Sequence, residues 1–191
     1  MAAVTPYDQL VGTLTYYLAP VGTAEPAANT TPGGSWVELG CTEGDQVIAA
    51  EESDLTKFYD NCHQGPVKAV RAQEDPQARG RLVGLTLENK ARLISSAAAV
   101  TASGSSPAIK RLPLEKGFTL TEYALLIKGA ADSPYGNYPA QYYYPRGVFD
   151  GKFVRTRSKT ARDAIDFVFH VLADDTQTAG NAFGWITAQT G

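Results

Sequence analysis

The chain is short of nearly everything enzyme chemistry draws on. Its 191 residues include two histidines, two cysteines and one methionine. It has no Gly-x-Gly-x-x-Gly, no phosphate-binding P-loop, no Gly-x-Ser-x-Gly and no His-Glu-x-x-His, so the common nucleotide, hydrolase and zinc-protease sites have no carrier. Two histidines in separate elements leave a histidine-based metal centre little to work with. Cys62-His63 is the one adjacent nucleophile and base, but neighbours in an extended chain point to opposite faces. No apolar run approaches the ~20 residues that span a membrane. Met1-Ala2-Ala3-Val4-Thr5-Pro6-Tyr7 has neither the basic nor the apolar region of a secretory leader. The sequon Asn29-Thr30-Thr31 is therefore expected to stay bare. Cys41 and Cys62 read as reduced thiols, with a bridge between neighbouring strands as the alternative. A basic surplus is missing too: 17 Lys and Arg stand against 20 Asp and Glu, a net charge of −3. That argues against a tight grip on nucleic-acid phosphates, but not against nucleic acid passing nearby.

What the chain has is turns and alternation. The 18 glycines and 11 prolines favour many short strands over a helical bundle, and the length suits one domain, residues 1–191. Strands are expected at 13–19, where Leu14, Tyr16 and Leu18 share a face, and at 36–39, after a Gly, Ala, Pro, Asn and Thr loop at 22–35. Two weak strands, 46–50 and 55–59, flank an acidic corner at Glu51, Glu52 and Asp54. A turn at 61–66, a short strand at 67–71, a polar Pro-containing loop at 73–80 and a strand at 81–85 follow. One helix is expected at about 87–99. Thr86 is its N-cap, Glu88 suits its N-terminal end, Leu87, Ala91, Ile94 and Ala98 form its apolar stripe, and the Ser-Gly-Ser-Ser-Pro run at 103–107 stops it. Strands are then expected at 109–114, 118–128, 141–149, 152–157 and 163–172, with a loop at 129–140. In the last strand Ile165, Phe167, Phe169 and Val171 make a continuous apolar face. Asp166, Val168, His170 and Leu172 make a mixed one, which suggests core on one side and a partner on the other.

Charged and aromatic clusters have bland readings as well as functional ones. Glu51, Glu52 and Asp54 read as a solvated or lumen-facing edge more than as a cation site. Arg155, Arg157, Lys159 and Arg162 read as a solvated hairpin that discourages edge pairing, as cations that meet acids of a neighbouring subunit, or as a phosphate patch. In a strand Tyr142 and Tyr144 share one face and Tyr143 takes the other, so ordinary packing accounts for the tyrosine run without a sugar ligand.

Several stretches, taken in order, resemble a known family. Tyr144-Pro145-Arg146-Gly147 leads through a polar hairpin into Ile165-Asp166-Phe167-Val168-Phe169, then Ala173-Asp174-Asp175 and Phe183-Gly184. Upstream stand Ala19-Pro20-Val21-Gly22-Thr23-Ala24-Glu25-Pro26, the run from Trp36 through Glu38-Leu39-Gly40 to Thr42-Glu43-Gly44, and Leu85-Thr86-Leu87-Glu88-Asn89 before the helix. Together they cover about residues 10–188 and resemble the siphophage-type tail tube proteins, whose fold is shared with the type VI secretion tube protein. The resemblance implies two packed antiparallel sheets, sandwich- or barrel-like, with one flanking helix. It also implies six-fold rings of identical subunits stacked into a tube that conducts DNA.

On that resemblance the chain is expected to be a structural protein of a phage tail, assembled in the host cytoplasm and carried in the virion. Its partners would be copies of itself, the tape measure protein, the tail terminator and distal tail or baseplate proteins. DNA would pass without specific binding, and no cofactor, metal or membrane is called for. The immunoglobulin-like C-terminal domain of some family members is not expected. Leu55, Phe58, Tyr59, Arg155 and Arg157 are the expected subunit contacts, with 51–65 as an assembly arm. Glu51, Glu52 and Asp54 are the expected lumen-facing residues. The readings from other classes are a carbohydrate-binding β-sandwich module, which needs an exposed aromatic platform, and a hydrolase with an unrecognised site.

Overall fold

A computed structural model describes residues 13–44, 46–59, 62, 64–94, 101–103, 109–114, 119–150, 155–156 and 164–190. The fold is mainly antiparallel β with one flanking helix, as the alternation and turn content lead one to expect. Its elements are β1 (Leu14–Pro20), β2 (Val37–Glu38), β3 (Cys41–Thr42), β4 (Val47–Tyr59), β5 (Pro66–Val83), α1 (Leu87–Leu93), β6 (Thr101–Ser103), β7 (Ile109–Arg111), β8 (Tyr123–Gly129), β9 (Ala140–Phe149), β10 (Arg155–Thr156), β11 (Ala164–Val171) and β12 (Trp185–Ala188). Ten strands form one sheet along the path β2-β1-β8-β9-β11-β5-β3, with β4 on β5, β10 on β11 and β12 on β9, while β6 and β7 make a second, small sheet.

The large sheet curls on itself. Its two ends, β2 and β3, are separated in the chain only by Leu39 and Gly40, so residues 37–42 tie β1 to β5. Leu39 N donates to Tyr16 O at 2.9 Å, and Cys41 pairs with Val83. The curl brings β1 against β11 although two strands lie between them in the sheet. Tyr16 packs edge-on to Phe167 with centroids 5.4 Å apart. Inside lie Tyr16, Leu18, Leu39, Ala78, Leu82, Leu125, Ile127, Phe149 and the odd positions of β11, Ile165, Phe167, Phe169 and Val171, all buried as the alternation requires. Phe149 sits among three rings, with centroids 5.1 Å from Phe169, 5.8 Å from Phe167 and 6.4 Å from Tyr123. Edge-to-face pairs of this kind add about 0.5–1.5 kcal/mol each beyond burial.

β8 reads as a continuous apolar run because both its faces are covered. Leu125 and Ile127 point into the curl, while Ala124 and Leu126 join Ala19, Trp36 and Tyr143 in an outer cluster. The loop 21–36 lies over that cluster and is fastened there. Tyr143 Oη donates to Thr23 O at 2.8 Å and Trp36 Nε1 to Ala24 O at 3.2 Å. The Glu25 carboxylate accepts from Trp185 Nε1 at 2.7 Å, Thr187 Oγ1 at 2.8 Å and Gln141 Nε2 at 2.5 Å.

Three expectations are corrected. The polar stretch 73–80 is strand, not loop, because β5 runs unbroken from Pro66 to Val83. Its polar residues fall where the strand leaves the curled sheet, and Pro76 sits just past the end of β11's cover (His170 opposite Gln77), an edge position that a strand proline tolerates. The two weak strands and acidic corner at 46–60 are one strand, β4, whose irregularities are register shifts at Val47/Ala50, Asp54/Leu55 and Phe58/Tyr59. Bulges of this kind bend a strand without ending it. The helix is shorter than 87–99. Thr86 caps it as expected, accepting from Asn89 N at 3.2 Å, but it ends at Leu93 with Ile94 as its C-cap. Residues 95–99 of the expected helix, with Ala98 of its stripe, lie outside the described residues. Thr101–Ser103, just past the expected helix, form β6.

Candidate functional site

Two surfaces stand out, and the first is an arm. β5 is covered by β11 only from Gln77 to Val83, while its remaining length to Pro66 pairs with β4 alone. The ten steps from Pro76 to Pro66, at about 3.3 Å each, give a two-stranded ribbon roughly 33 Å long. Near its tip Phe58 is 51% exposed, Tyr59 68% and Val67 49%, with Lys57 and Lys68 exposed beside them. A lone two-stranded hairpin is marginally stable in water, and a cluster of exposed aromatics on one is unusual for a surface that stays wet.

The second surface is a cleft of about 290 Å³ lined by Pro76, Tyr142, Tyr144, Phe183, Trp185 and Ile186. Its position follows from how β9 shares its edge. β12 pairs with β9 over Ala140–Tyr143 and β11 over Gly147–Phe149, and the two partners meet at Tyr144-Pro145-Arg146. Opposite, β8 steps from Tyr123/Gly147 to Leu125/Tyr144, a bulge that absorbs Pro145. The cleft opens where β12 lies on β9 while β5 departs as the arm. Ile186 on its rim is 62% exposed.

The residues that frame this junction have structural tasks. Tyr144 Oη donates to Ile48 O at 2.8 Å, fastening β9 to β4. Arg146 Nε and Nη2 each donate to the Glu122 carboxylate at 2.8 Å, a two-point contact that holds the Glu122 carboxyl below the usual range. A Cβ on Gly147 would meet Phe169 ring carbons at 2.4 Å and His170 O at 2.5 Å, so only glycine lets β11 approach there. Asp174 organises the loop before β12. Gln177 Nε2 donates to it at 2.8 Å, Thr176 Oγ1 at 2.7 Å and Thr176 N at 3.1 Å, and these bonds lower its pKa in that order. Gly184 has φ +124°, and a Cβ on it would meet Tyr143 O at 2.2 Å.

Of the site residues named from sequence, Phe58 and Tyr59 come together at the arm tip, and the backbone of Leu55 lies in the same arm opposite Arg71. Glu51, Glu52 and Asp54 stand in β4 nearer the base, opposite Pro76, Asp75 and Gln73. Arg155 pairs with Ile165 at the far end of β11, away from the tip in sequence register. The side chains of Glu51, Glu52, Asp54, Leu55 and Arg155, and the whole of Arg157, lie outside the described residues. Cys41 and Cys62 are exposed and no disulfide joins them. Of the tyrosine run, Tyr143 and Tyr144 are buried in packing, while Tyr142 is half-buried beside the cleft.

Sequence reasoning missed Glu25, Asn89 and Gln141. Asn89 Nδ2 donates to Glu38 O at 2.9 Å and Leu39 O at 2.7 Å, fastening α1 to the segment that closes the curl. Gln141 is fully buried under the 21–36 loop. The only signal for Glu25 was its place in a motif-like run, which does not reveal what it holds. A shallow cleft of about 420 Å³ lies on the mixed face of β11, where Arg81 stands 3.8 Å from Glu43 and 3.7 Å from Asp166. Among the described residues no group of three or more His, Cys, Asp or Glu is placed to hold a metal, and no helix is long and apolar enough to cross a membrane. Comparison with protein-family models and with curated proteins gives no match.

Proposed function

We propose that this protein is a self-assembling structural subunit of a phage tail tube, forming six-fold rings that stack into the conduit for DNA. The observation that carries the reading is the β4–β5 arm. It leaves the curled sheet as a two-stranded ribbon with Phe58, Tyr59 and Val67 exposed near its tip, and β4 has no second strand partner among the described residues. Unpaired edges and apolar tips are liabilities in a monomer and contact surfaces in an assembly. A contact between unlike patches on identical subunits propagates into a ring or a stack. If four strands from each of six subunits line the bore, about 24 strands at roughly 4.8 Å spacing and about 40° tilt give a backbone diameter on the order of 48 Å. That is wide enough for a duplex. An acidic lining lets DNA slide, since each fixed cation holds a phosphate, and Glu51, Glu52 and Asp54 at the arm's base are the candidates for it. Arg155 and Arg157 are assigned to subunit contacts. The task needs no catalytic group.

The test is assembly. At high protein concentration, sedimentation and negative-stain microscopy should show rings and tubes, and deleting residues 52–62 should leave a folded subunit that does not assemble. A protein that stays monomeric at every concentration, also with tail partners added, overturns the reading. Normal tubes from the deletion remove the arm from it.

A further inference from the structure

The structure points to where the arm tip goes. We infer that the cleft between β12 and Pro76 receives the tip of a second copy's arm, with Phe58 and Tyr59 seated among Tyr142, Tyr144, Phe183, Trp185 and Ile186. This rests on the assembly reading above and adds its receptor.

Three observations support it. The first is that the chain carries both halves of an apolar contact, an exposed aromatic knob and an open, mostly aromatic cleft. Aromatic anchors in apolar pockets are the usual energetic centres of protein contacts. The second is a distance. Pro76 lines the cleft and is also the base of the arm, so tip and cleft on one chain are separated by the arm's length, roughly 33 Å at about 3.3 Å per residue. An extended ribbon cannot reach its own base, so the knob that fills this cleft belongs to another copy. Such a contact is heterologous, the type that closes a ring or continues a stack. The third is charge. Lys57 and Lys68 flank the exposed tip, while Glu74 and Asp75 immediately precede in sequence Pro76, which lines the cleft. Charges of opposite sign at the tip and beside the arm's base favour the encounter of the two surfaces.

The experiment is site-directed cross-linking in the full chain. With Cys41→Ser and Cys62→Ser as background, Phe58→Cys and Ile186→Cys are made singly and together, and a short bismaleimide is applied to assembled protein. The double variant should give a ladder of covalently linked copies. Mixing the two single variants should give a cross-linked dimer that neither gives alone. Phe58→Ser and Ile186→Glu, both at exposed positions, should each raise the concentration needed for assembly on the order of tenfold, the effect of removing one anchor. Assembled tubes with no cross-link, or a link confined to one chain, overturn the cleft assignment and leave the assembly reading intact. Absence of assembly in the unmodified protein overturns both. Oligosaccharide binding by the monomer that Ile186→Glu abolishes and Phe58→Ser leaves intact assigns the cleft to a sugar and also overturns the proposal.

Discussion

The curled sheet and the arm share the strand β5 and obey opposite rules. In the curl, the large side chains pack against one another, across the interior or from neighbouring strands. Tyr16 meets Phe167, Phe149 meets two phenylalanines and a tyrosine, and Tyr144 reaches across to the backbone of β4. Polar groups there are staples: Asn89 holds the closing segment, and Glu25 collects three donors over the outer cluster. In the arm, β4 and β5 pair only with each other among the described residues, and Phe58, Tyr59 and Val67 are exposed. One strand, β5, passes from the first regime to the second at Pro76. The difference teaches that one strand can join a part whose large side chains are packed within the chain to a part that leaves its aromatic residues exposed.

Substitutions on either side of Pro76 should separate the two regimes. The largest loss of stability is expected for Phe149→Ala, at about 3–5 kcal/mol in urea denaturation, because a fully buried ring among three others leaves a cavity that the curl cannot collapse into. A cost under about 1 kcal/mol would mean that the curl is not rigidly packed at its centre. Gly147→Ala should cost about 1–3 kcal/mol, since its new methyl must push the Phe169 ring or the β11 backbone aside. A neutral result would show that β9 and β11 tolerate separation there.

A third, smaller effect depends on pH. The hydrogen bonds from Gln177 and Thr176 hold the Asp174 pKa below that of an unfolded aspartate. A depressed folded pKa adds stability above the unfolded value, near 3.9, and that stability is lost as the pH falls through the folded value. Asp174→Asn should therefore lower the melting temperature at pH 7, and the gap to the parent chain should close in acid. A gap that is constant with pH would make the effect steric instead of ionic.

The smallest effect on folding is expected at the tip. Phe58→Ser with Tyr59→Ser should leave monomer stability within about 0.5 kcal/mol, as exposed substitutions usually do, while abolishing assembly. Loss of folding together with assembly would erase the distinction between arm and curl.

Some of this was legible in the residues. Alternation placed β1 and β11 to within a residue or two and gave the inward face of β11 in full, because period-two burial is a local property of a strand. Thr86 and Glu88 marked where the helix starts for the same local reason. The length of β5 was hidden because polar residues and a proline read as a loop, and what makes 73–80 a strand is pairing with β4 and β11, which sequence does not display. The arm was half visible. A weakly strand-like segment carrying Phe58 and Tyr59 beside charges suggested a contact surface, but its reach depends on where β11 stops covering β5.

Composition and periodicity determined by themselves that this chain folds as antiparallel strands with one capped helix, and that Ile165, Phe167, Phe169 and Val171 are core. Those outcomes depend on neighbours a few residues away. Only the tertiary structure decided that Leu39 and Gly40 close the sheet on itself, that Glu25 and Asn89 are fastenings, and that the tyrosines of β9 border an open cleft at the arm's base. Each of these depends on segments tens of residues apart meeting in space, and their meeting is set by the packing of the whole.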